Sequence, residues 1–274
     1  MSENIIEPFG MYNSGVICYF NSAMQSLMSS RHFIKFVEQS NCVLSKEIVK
    51  HYTSRDSYNL NVFNAFMEKS PCKTFGFGQE DSGEFIVFLL EAMQDNPFLY
   101  EYKCDLFCMQ CRKSKQVSPD KNMFFYTSPS HIKNNTISGE GLSGYIKNNY
   151  SKCYGIECGH CGSGRLAKTN RISSVSELLF ISIQPDTDKK ELCKYPSYIT
   201  FECDKDLHVY RLISVIFHSG NKESGHYYAR CLRGSKWYEF NDLSVKETEY
   251  PLPEENAYIL LYDYIRTDAD AALS

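Results

Sequence analysis

The sequence lacks three features that mark whole classes of proteins. No segment approaches about eighteen uninterrupted apolar residues, so we predict no membrane-spanning helix and no membrane partner. The formal net charge is -4 at pH 7, and without a basic excess to neutralise phosphates the chain is unsuited to nucleic acid. The first eight residues are polar and acidic, without the apolar stretch of a signal peptide, so we expect a soluble intracellular protein, cytoplasmic or nuclear.

Disulfide scaffolds, repeats and low-complexity linkers are also missing. Twelve cysteines among 274 residues fall well below the density of a small disulfide-rich domain, and a reducing compartment keeps them as thiols or metal ligands. The chain is long enough to bury a core without crosslinks. These absences predict one folded unit with subdomains, which we expect to be a monomer.

Aromatic residues are abundant, with 20 tyrosines and 18 phenylalanines, and favour a folded α+β protein. Residues 9–103 carry apolar residues at spacings of three and four, which predicts helices. Residues 104–175 are more polar and hold paired cysteines. Residues 176–265 predict a mainly antiparallel sheet, and 266–274 a tail. The strands predicted in the sheet are 178–183, 209–217, 227–232, 236–240 and 257–264.

The paired cysteines of the middle region have the spacing of metal ligands. The two C-x-x-C pairs comprise Cys108, Cys111, Cys158 and Cys161. Four thiolates suit one tetrahedral structural zinc, and a site closed by four protein ligands leaves no position for a catalytic water. Cys104, Cys153 and His160 are nearby substitute ligands, and a redox role is the less favoured alternative. The sequence thus predicts one structural zinc and no catalytic cofactor.

Cys18 lies where a glycine-punctuated loop enters a helical pattern. A helix N-terminus stabilises a thiolate and lowers the pKa of a cysteine, so Cys18 is a candidate nucleophile. The alternative is a small buried apolar side chain. A cysteine nucleophile needs an imidazole base, for which His226 is the leading candidate and His218 the rival.

His226 opens a predicted β-hairpin that returns through Asn241. With Arg233-Gly234 as the turn, His226 faces Asn241, and with Gly234-Ser235 the two are diagonal neighbours on one face. A three-residue loop would bring Asp242 opposite instead. An asparagine oxygen that accepts the imidazole N–H completes a Cys-His-Asn arrangement, which is known from papain-like proteases.

These features occur together in a known family. Residues 10–27 resemble the cysteine box of the ubiquitin-specific proteases, which are deubiquitinating enzymes of papain-like fold. Residues 79–85 are similar to that family's Gln-x-Asp-Ala/Ser-x-Glu-Phe block, and the two C-x-x-C pairs to its zinc-bearing fingers. Residues 225–227 with 237–242 resemble its histidine box, and 257–262 its closing strand. Five blocks in the family's order make the resemblance highly specific.

The resemblance implies a papain-like cysteine protease fold with a helical thumb, zinc-ribbon fingers and an antiparallel β palm. It implies that Cys18 is the nucleophile, His226 the general base, Asn241 the residue that orients it, and Asn13 a donor to the oxyanion. The implied activity is cleavage of the isopeptide or peptide bond after the C-terminal glycine of ubiquitin. Ubiquitin and ubiquitinated proteins are the implied partners.

The resemblance also assigns residues that hold the ubiquitin tail. Gln79, Asp81 and Glu84 would pair with its basic residues, and Tyr227 would line a narrow slot for the diglycine. Asp81 and Glu84 also fit the N-cap and N3 positions of a helix capping box, and one residue can serve both purposes.

The chain departs from the family before the nucleophile, where Gly15-Val16-Ile17 replaces the usual Gly-Asn-Thr. Two alternatives keep the fold: a catalytically weak or inactive ubiquitin-binding module, and a protease for another ubiquitin-like modifier. A zinc-stabilised interaction protein and a secreted papain-like protease are further alternatives. The intact Cys18, His226 and Asn241 favour the active enzyme.

Overall fold

The computed structural model describes residues 6–72, 75, 78–132, 142, 149–153, 157–184, 192, 195–203, 206–220, 225–251 and 256–266. The helices are α1 Cys18–Leu27, α2 Arg31–Gln39, α3 Val43–Ser54, α4 Leu60–Lys69 and α5 Ser82–Ala92. The strands are β1 Tyr100–Cys108, β2 Ser114–Asn122, β3 Phe124–Thr127, β4 Asn149–Cys153, β5 Leu166–Ser174, β6 Leu178–Ile183, β7 Tyr198–Cys203, β8 Asp206–Gly220, β9 Gly225–Arg233, β10 Lys236–Asn241, β11 Ser244–Thr248 and β12 Ala257–Arg266. No helix in these ranges has the length and apolar character needed to cross a membrane.

The strands form two separate sheets. The smaller has the order β2-β1-β5-β4, and the larger has the order β11-β10-β9-β8-β12-β6-β3, with β7 paired to β8. The β3–β6 pair is parallel, whereas the other described strand pairs are antiparallel. The predicted α+β class and the mainly antiparallel sheet are therefore confirmed.

The strand boundaries follow the sequence pattern closely in the last third. The predicted strand 178–183 coincides with β6, all six residues of which are buried. Two strands, however, cross or fall outside the segments predicted for them. β3 lies within 104–175 but belongs to the larger sheet, and β1 begins at Tyr100, ahead of position 104. The thumb, fingers and palm boundaries remain a prediction.

Helix α1 is the element that fixes the site. All ten of its residues are buried because it packs between helix α5 and strands β8, β9 and β10 of the larger sheet. Tyr19 and Phe20 make edge and tilted ring contacts with Phe85, and Phe66 adds another at 4.9 Å between ring centroids. Such interlocked rings leave the helix little freedom. The first residue of α1, Cys18, is thereby held against the beginning of β9.

Candidate active site

Cys18 is the first residue of α1 and follows the N-cap residue Ile17. No side chain caps this end of the helix, so its first backbone N–H groups remain available. The thiol is almost fully buried, with 4% of the residue exposed, and the backbone of Tyr227 forms a hydrogen bond with it. The fold thus joins the predicted nucleophile to the strand that carries His226.

The expectation of a lowered thiol pKa is wrong for this structure. Burial raises the pKa of Cys18 above its ordinary value of 9.0, because the charged thiolate loses its hydration. The nearby carboxylate of Asp242 raises it further, while the hydrogen bond from the Tyr227 backbone lowers it. Desolvation outweighs the helix terminus, so the resting thiol is protonated at neutral pH.

His226 and Asn241 form the predicted pair. Strands β9 and β10 pair from Lys236↔Arg233 onward, which selects Gly234-Ser235 as the turn. Gly234 has φ 62°, as the first central residue of a type II′ turn requires. His226 Nε2 lies 2.8 Å from Asn241 Oδ1. Because this oxygen accepts a hydrogen bond from Nε2–H, the lone pair of Nδ1 is left free to act as a base.

His218, the rival base, occupies a different environment. It pairs with Tyr227 across β8 and β9, and the two rings stack with centroids 4.4 Å apart. A Cβ at Gly225 would collide with the His218 ring, so a glycine is required where β9 begins. His218 therefore packs beneath the strand, whereas His226 has the Asn241 partner.

Asp242 is the principal site residue that the sequence analysis did not assign. Its Oδ2 accepts a hydrogen bond from Asn13 Nδ2 at 3.0 Å, and its Oδ1 accepts one from Asn21 Nδ2 at 2.8 Å. Asn13 Oδ1 in turn accepts the backbone N–H groups of Gly15 and Ile17, at 2.8 and 3.1 Å. One carboxylate therefore ties the loop before the nucleophile to the β10–β11 turn.

A close backbone approach completes this connection. A Cβ at Gly10 would lie inside the backbone of Leu243, which explains the glycine at the start of the cysteine box. Met11 N donates to Asp242 O at 3.0 Å. The two-residue turn Asp242-Leu243, in which Asp242 has φ 52°, is the sequence signal that could have revealed this arrangement.

Asp81 caps helix α5, as the capping-box alternative predicts. Its Oδ1 accepts the backbone N–H groups of Gly83 and Glu84 at 2.7 and 2.9 Å. Burial, followed by the charges of Asp81 and Glu80, raises the pKa of Glu84. This end of α5 is therefore a concentrated acidic region.

The second oxygen of Asp81 binds two tyrosines. Tyr227 OH and Tyr258 OH both donate to Oδ2, the former at 3.2 Å, and burial raises the pKa of both phenols. Gln79 Oε1 accepts the backbone N–H of Gly225 at 3.3 Å. The predicted tail-binding residues thus gather around the start of β9. Tyr258, on β12, belongs to the same cluster and was not singled out by the sequence.

The four predicted metal ligands converge at one end of the smaller sheet. Their sulfur atoms all lie within 4.8 Å of one another, with 3.7 Å between Cys108 and Cys161 and between Cys111 and Cys158. A tetrahedral site with metal–sulfur distances of about 2.3 Å has sulfur–sulfur edges of about 3.8 Å, so the set fits such a metal.

Both knuckles have the same backbone design. The residue after each second cysteine, Arg112 or Gly162, has positive φ and donates its N–H to the carbonyl of Cys108 or Cys158. The N–H groups of His160 and Cys161 lower the pKa of Cys158 to about 6, whereas burial and the three neighbouring thiols raise the pKa of Cys161 to about 11. Thiols this close together cannot all ionise without a cation between them. Among the residues the structure describes, Cys104 and His160 are outside this group; the Cys153 side chain is not among those described.

Comparisons with known proteins agree with this arrangement. A family model for ubiquitin carboxyl-terminal hydrolase matches residues 9–262. The chain is 22% identical to ubiquitin carboxyl-terminal hydrolase 8 of Saccharomyces cerevisiae, across 92% of this chain and 70% of the relative. It is also 22% identical to the probable ubiquitin carboxyl-terminal hydrolase 8 of Schizosaccharomyces pombe, across 92% of this chain and 64% of the relative.

Solved structures show the same fold. A SAGA DUB module of Ubp8, Sgf11, Sus1 and Sgf73 bound to monoubiquitin matches with a TM-score of 0.77 and 19% identity, over 97% of this chain and 71% of that one. The corresponding module bound to ubiquitin aldehyde matches with a TM-score of 0.74 and 18% identity, again over 97% and 71%. The chain belongs to the ubiquitin carboxyl-terminal hydrolase family of cysteine-type deubiquitinating enzymes.

Proposed function

We propose that this chain hydrolyses the isopeptide or peptide bond after the C-terminal glycine of ubiquitin, with Cys18 as nucleophile. The observation that carries the proposal is the position of Cys18 at the start of α1, beside the strand whose His226 is bound to Asn241. Relatives of the same fold bind monoubiquitin and ubiquitin aldehyde, which supports ubiquitin as the substrate.

The raised pKa of Cys18 assigns a definite task to His226. A protonated thiol is a poor nucleophile, so the Nδ1 lone pair of His226 must accept its proton as the thiolate attacks the carbonyl. A thioester forms, His226 protonates the departing amine, and water then releases the ubiquitin tail. Cys18 and His226 share no hydrogen bond in the described structure, and such contacts in substrate-free enzymes often tighten only when substrate binds.

Asn13 stabilises the oxyanion in this proposal. Its Oδ1 is held by Gly15 and Ile17, and one hydrogen of Nδ2 is used by Asp242, which leaves the second hydrogen for the substrate oxygen. Val16 and Ile17 supply no side-chain donor. Loss of one oxyanion donor typically costs about 3 kcal/mol in the transition state, so Asn13→Ala should reduce turnover more than binding.

The acidic region at α5 receives the basic tail of ubiquitin. Asp81 is engaged by four hydrogen bonds, so it acts through its charge and through the tyrosines that it holds. Glu84 is exposed and is available for a direct ion pair. Gln79 and Tyr227 line the entrance to the diglycine slot, because Tyr227 lies at the start of β9 and Gln79 accepts the backbone N–H of Gly225 there.

The metal in the four-cysteine cluster is one structural zinc. Four thiolates fill a tetrahedral shell, so the metal would hold the smaller sheet together and would take no part in hydrolysis. The yeast modules contain Sgf11, Sus1 and Sgf73 beside Ubp8, and the expectation of a monomer stays a prediction for this chain. The same holds for a cytoplasmic or nuclear location.

The deciding experiment uses ubiquitin that carries an electrophile at its C-terminus. The wild type should form a covalent adduct, Cys18→Ala should form none, and Asn241→Ala should react more slowly because His226 loses its orientation. Cys42→Ala is the matched control: this thiol also lies at a helix N-terminus, and its pKa is lowered by serine and backbone hydrogen bonds, but it belongs to α3.

Two outcomes would replace the proposal. Binding of ubiquitin without an adduct would identify an inactive ubiquitin-binding module. Reaction only with the same electrophile on another ubiquitin-like modifier would change the substrate. The raised pKa of Cys18 is the observation that keeps the first alternative worth testing.

A further inference from the structure

The strand order divides the surroundings of Cys18 into two sides. Asp81 and the two tyrosines that it binds lie toward β9 and β12, whereas the Asp242-Leu243 turn lies between β10 and β11. Because the larger sheet has the order β11-β10-β9-β8-β12, the β10–β11 turn and Tyr258 on β12 lie on opposite sides of β9, the strand that carries His226. If the side with Asp81 holds the ubiquitin tail, the lysine amine released by cleavage must leave on the side of the Asp242-Leu243 turn.

On that other side, four large apolar side chains are exposed. Tyr58 is 65% exposed, Leu243 55%, Tyr12 41% and Val16 37%. The rings of Tyr12 and Tyr58 lie 5.6 Å apart between centroids. We call these four residues the acceptor-side patch. Tyr12 and Tyr58 are in ring contact, Val16 belongs to the same loop as Tyr12, and the backbone of Leu243 lies against Gly10. Exposed apolar side chains that lie near one another mark interaction surfaces.

The backbone beneath this patch is firmly held. Tyr12 N donates to Ser57 O at 2.8 Å, and Tyr12 O accepts from Asn59 Nδ2 at 3.1 Å. Gly10 lies directly against the backbone of Leu243. The segment before the nucleophile is therefore bordered by Leu243 on one side and Tyr58 on the other. A rigid surface of this kind can discriminate between ligands at little cost in conformational entropy.

We propose that the acceptor-side patch binds the polypeptide whose lysine carries ubiquitin, and that it favours apolar residues near this lysine. This proposal rests on the proposed function, because it assigns the part of the same site that holds the polypeptide released by cleavage. In an extended peptide alternate side chains share a face. The residues two before and two after the modified lysine should therefore contact Tyr58 and Leu243, while the lysine side chain enters toward Cys18.

The test compares three substrates. The first is ubiquitin with a small fluorogenic amide at its C-terminus, which does not extend onto the patch. The other two are ubiquitin joined through an isopeptide bond to the lysine of a peptide. One peptide has leucine two residues before and two residues after this lysine, and the other has serine at both positions. The variants are Tyr58→Ser and Leu243→Ser. Tyr198→Ser is the matched control, because this tyrosine is 52% exposed but lies on β7.

For the wild type and the control we expect kcat/KM to be about tenfold higher with leucine than with serine, the lower end of the range for apolar contacts, because the patch is open to solvent. In Tyr58→Ser and Leu243→Ser this ratio should fall toward unity, with hydrolysis of the small amide unchanged. A wild-type ratio near unity, or a ratio that survives both substitutions, overturns the acceptor-side patch alone. No cleavage of the small amide by the wild type overturns the proposed function and the patch together.

Discussion

The two sheets of this protein are stabilised in different ways. The larger sheet shares one extensive apolar core with the helices, and its strand β6 is buried along its whole length. Among the described residues, the apolar cluster of the smaller sheet that is separate from this core consists of Cys108, Cys158 and Leu166, with Cys111 packed against them. Three of these four residues are cysteines of the metal cluster. Where apolar burial is scarce, a metal is the natural substitute.

This difference separates the stability of the region around Cys18 from that of the smaller sheet. Cys18, His226 and Asn241 belong to elements of this extensive core. Among the described residues, the smaller sheet meets the same core through Tyr100 and Tyr102 of β1 and through Ile172 of β5. We therefore expect damage to the metal cluster to remain local, and damage to the aromatic core to spread through the whole domain.

Loss of the metal should have the largest effect. In Cys111→Ser the zinc content should fall from one per chain to none, since a structural zinc site contributes on the order of 10 kcal/mol to the fold that it holds. Hydrogen exchange should show lost protection in β1 and β5, with β8 and β12 retained. Cys72→Ser, at a half-exposed cysteine outside the cluster, should keep the metal. Stoichiometric zinc in Cys111→Ser would refute the four-thiolate site.

Truncation of Phe85 should destabilise the whole domain. This ring is fully buried and contacts Tyr19, Phe20 and Phe66. The cavity left by Phe85→Ala should lower the free energy of unfolding by about 3–5 kcal/mol, measured by denaturant titration. Phe107→Ala, at a 39% exposed ring on β1, should cost less than about 1 kcal/mol. Equal losses in the two variants would contradict the proposed division.

Acid should lower the free energy of unfolding of the extensive apolar core through His51. Burial lowers its pKa from 6.5 to about 4, and its Nε2 has no hydrogen-bond partner. The unfolded state binds the proton more readily, so stability is complete above pH 6.5 and declines as the pH falls toward 4, by about 3 kcal/mol. In unfolding titrations from pH 7 to 4, His51→Leu should lose less stability than the wild type. An identical loss of stability in the wild type and in His51→Leu would show that groups other than His51 cause the acid sensitivity.

The smallest effect concerns the reactivity of Cys18. Because burial and the charge of Asp242 raise its pKa, the rate of its alkylation by iodoacetamide should still increase above pH 9.0. Asp242→Asn removes the negative charge that raises the pKa of Cys18, so the alkylation rate of this variant should rise at lower pH than that of the wild type. Peptide mapping would separate Cys18 from the other thiols. A rate that is already constant below pH 9.0 in the wild type would mean that the thiolate is stabilised in a way that this structure does not contain.

Much of the site follows from local patterns in the sequence. The C-x-x-C spacing predicts the four cysteines that converge, because each knuckle is a short turn whose geometry is local. Either two-residue turn of the hairpin predicts that His226 and Asn241 are neighbours, and the structure, which has Gly234-Ser235 as the turn, excludes the three-residue loop that would bring Asp242 opposite. Predicted strand 178–183 coincides with β6 because a run of six residues, apolar except for Ser182 and rich in aromatic and β-branched side chains, suits a buried strand.

Other properties depend on residues far apart in the chain. Asp242 meets Asn13 across 229 positions and Asn21 across 221, and no periodic pattern encodes such a contact. The direction in which the pKa of Cys18 is shifted likewise depends on the tertiary structure. Its helix terminus is visible in the sequence and stabilises the thiolate, but the burial that outweighs it arises only when β9 packs over α1. The sequence alone determined which groups could react, and long-range packing decided their protonation and mutual positions.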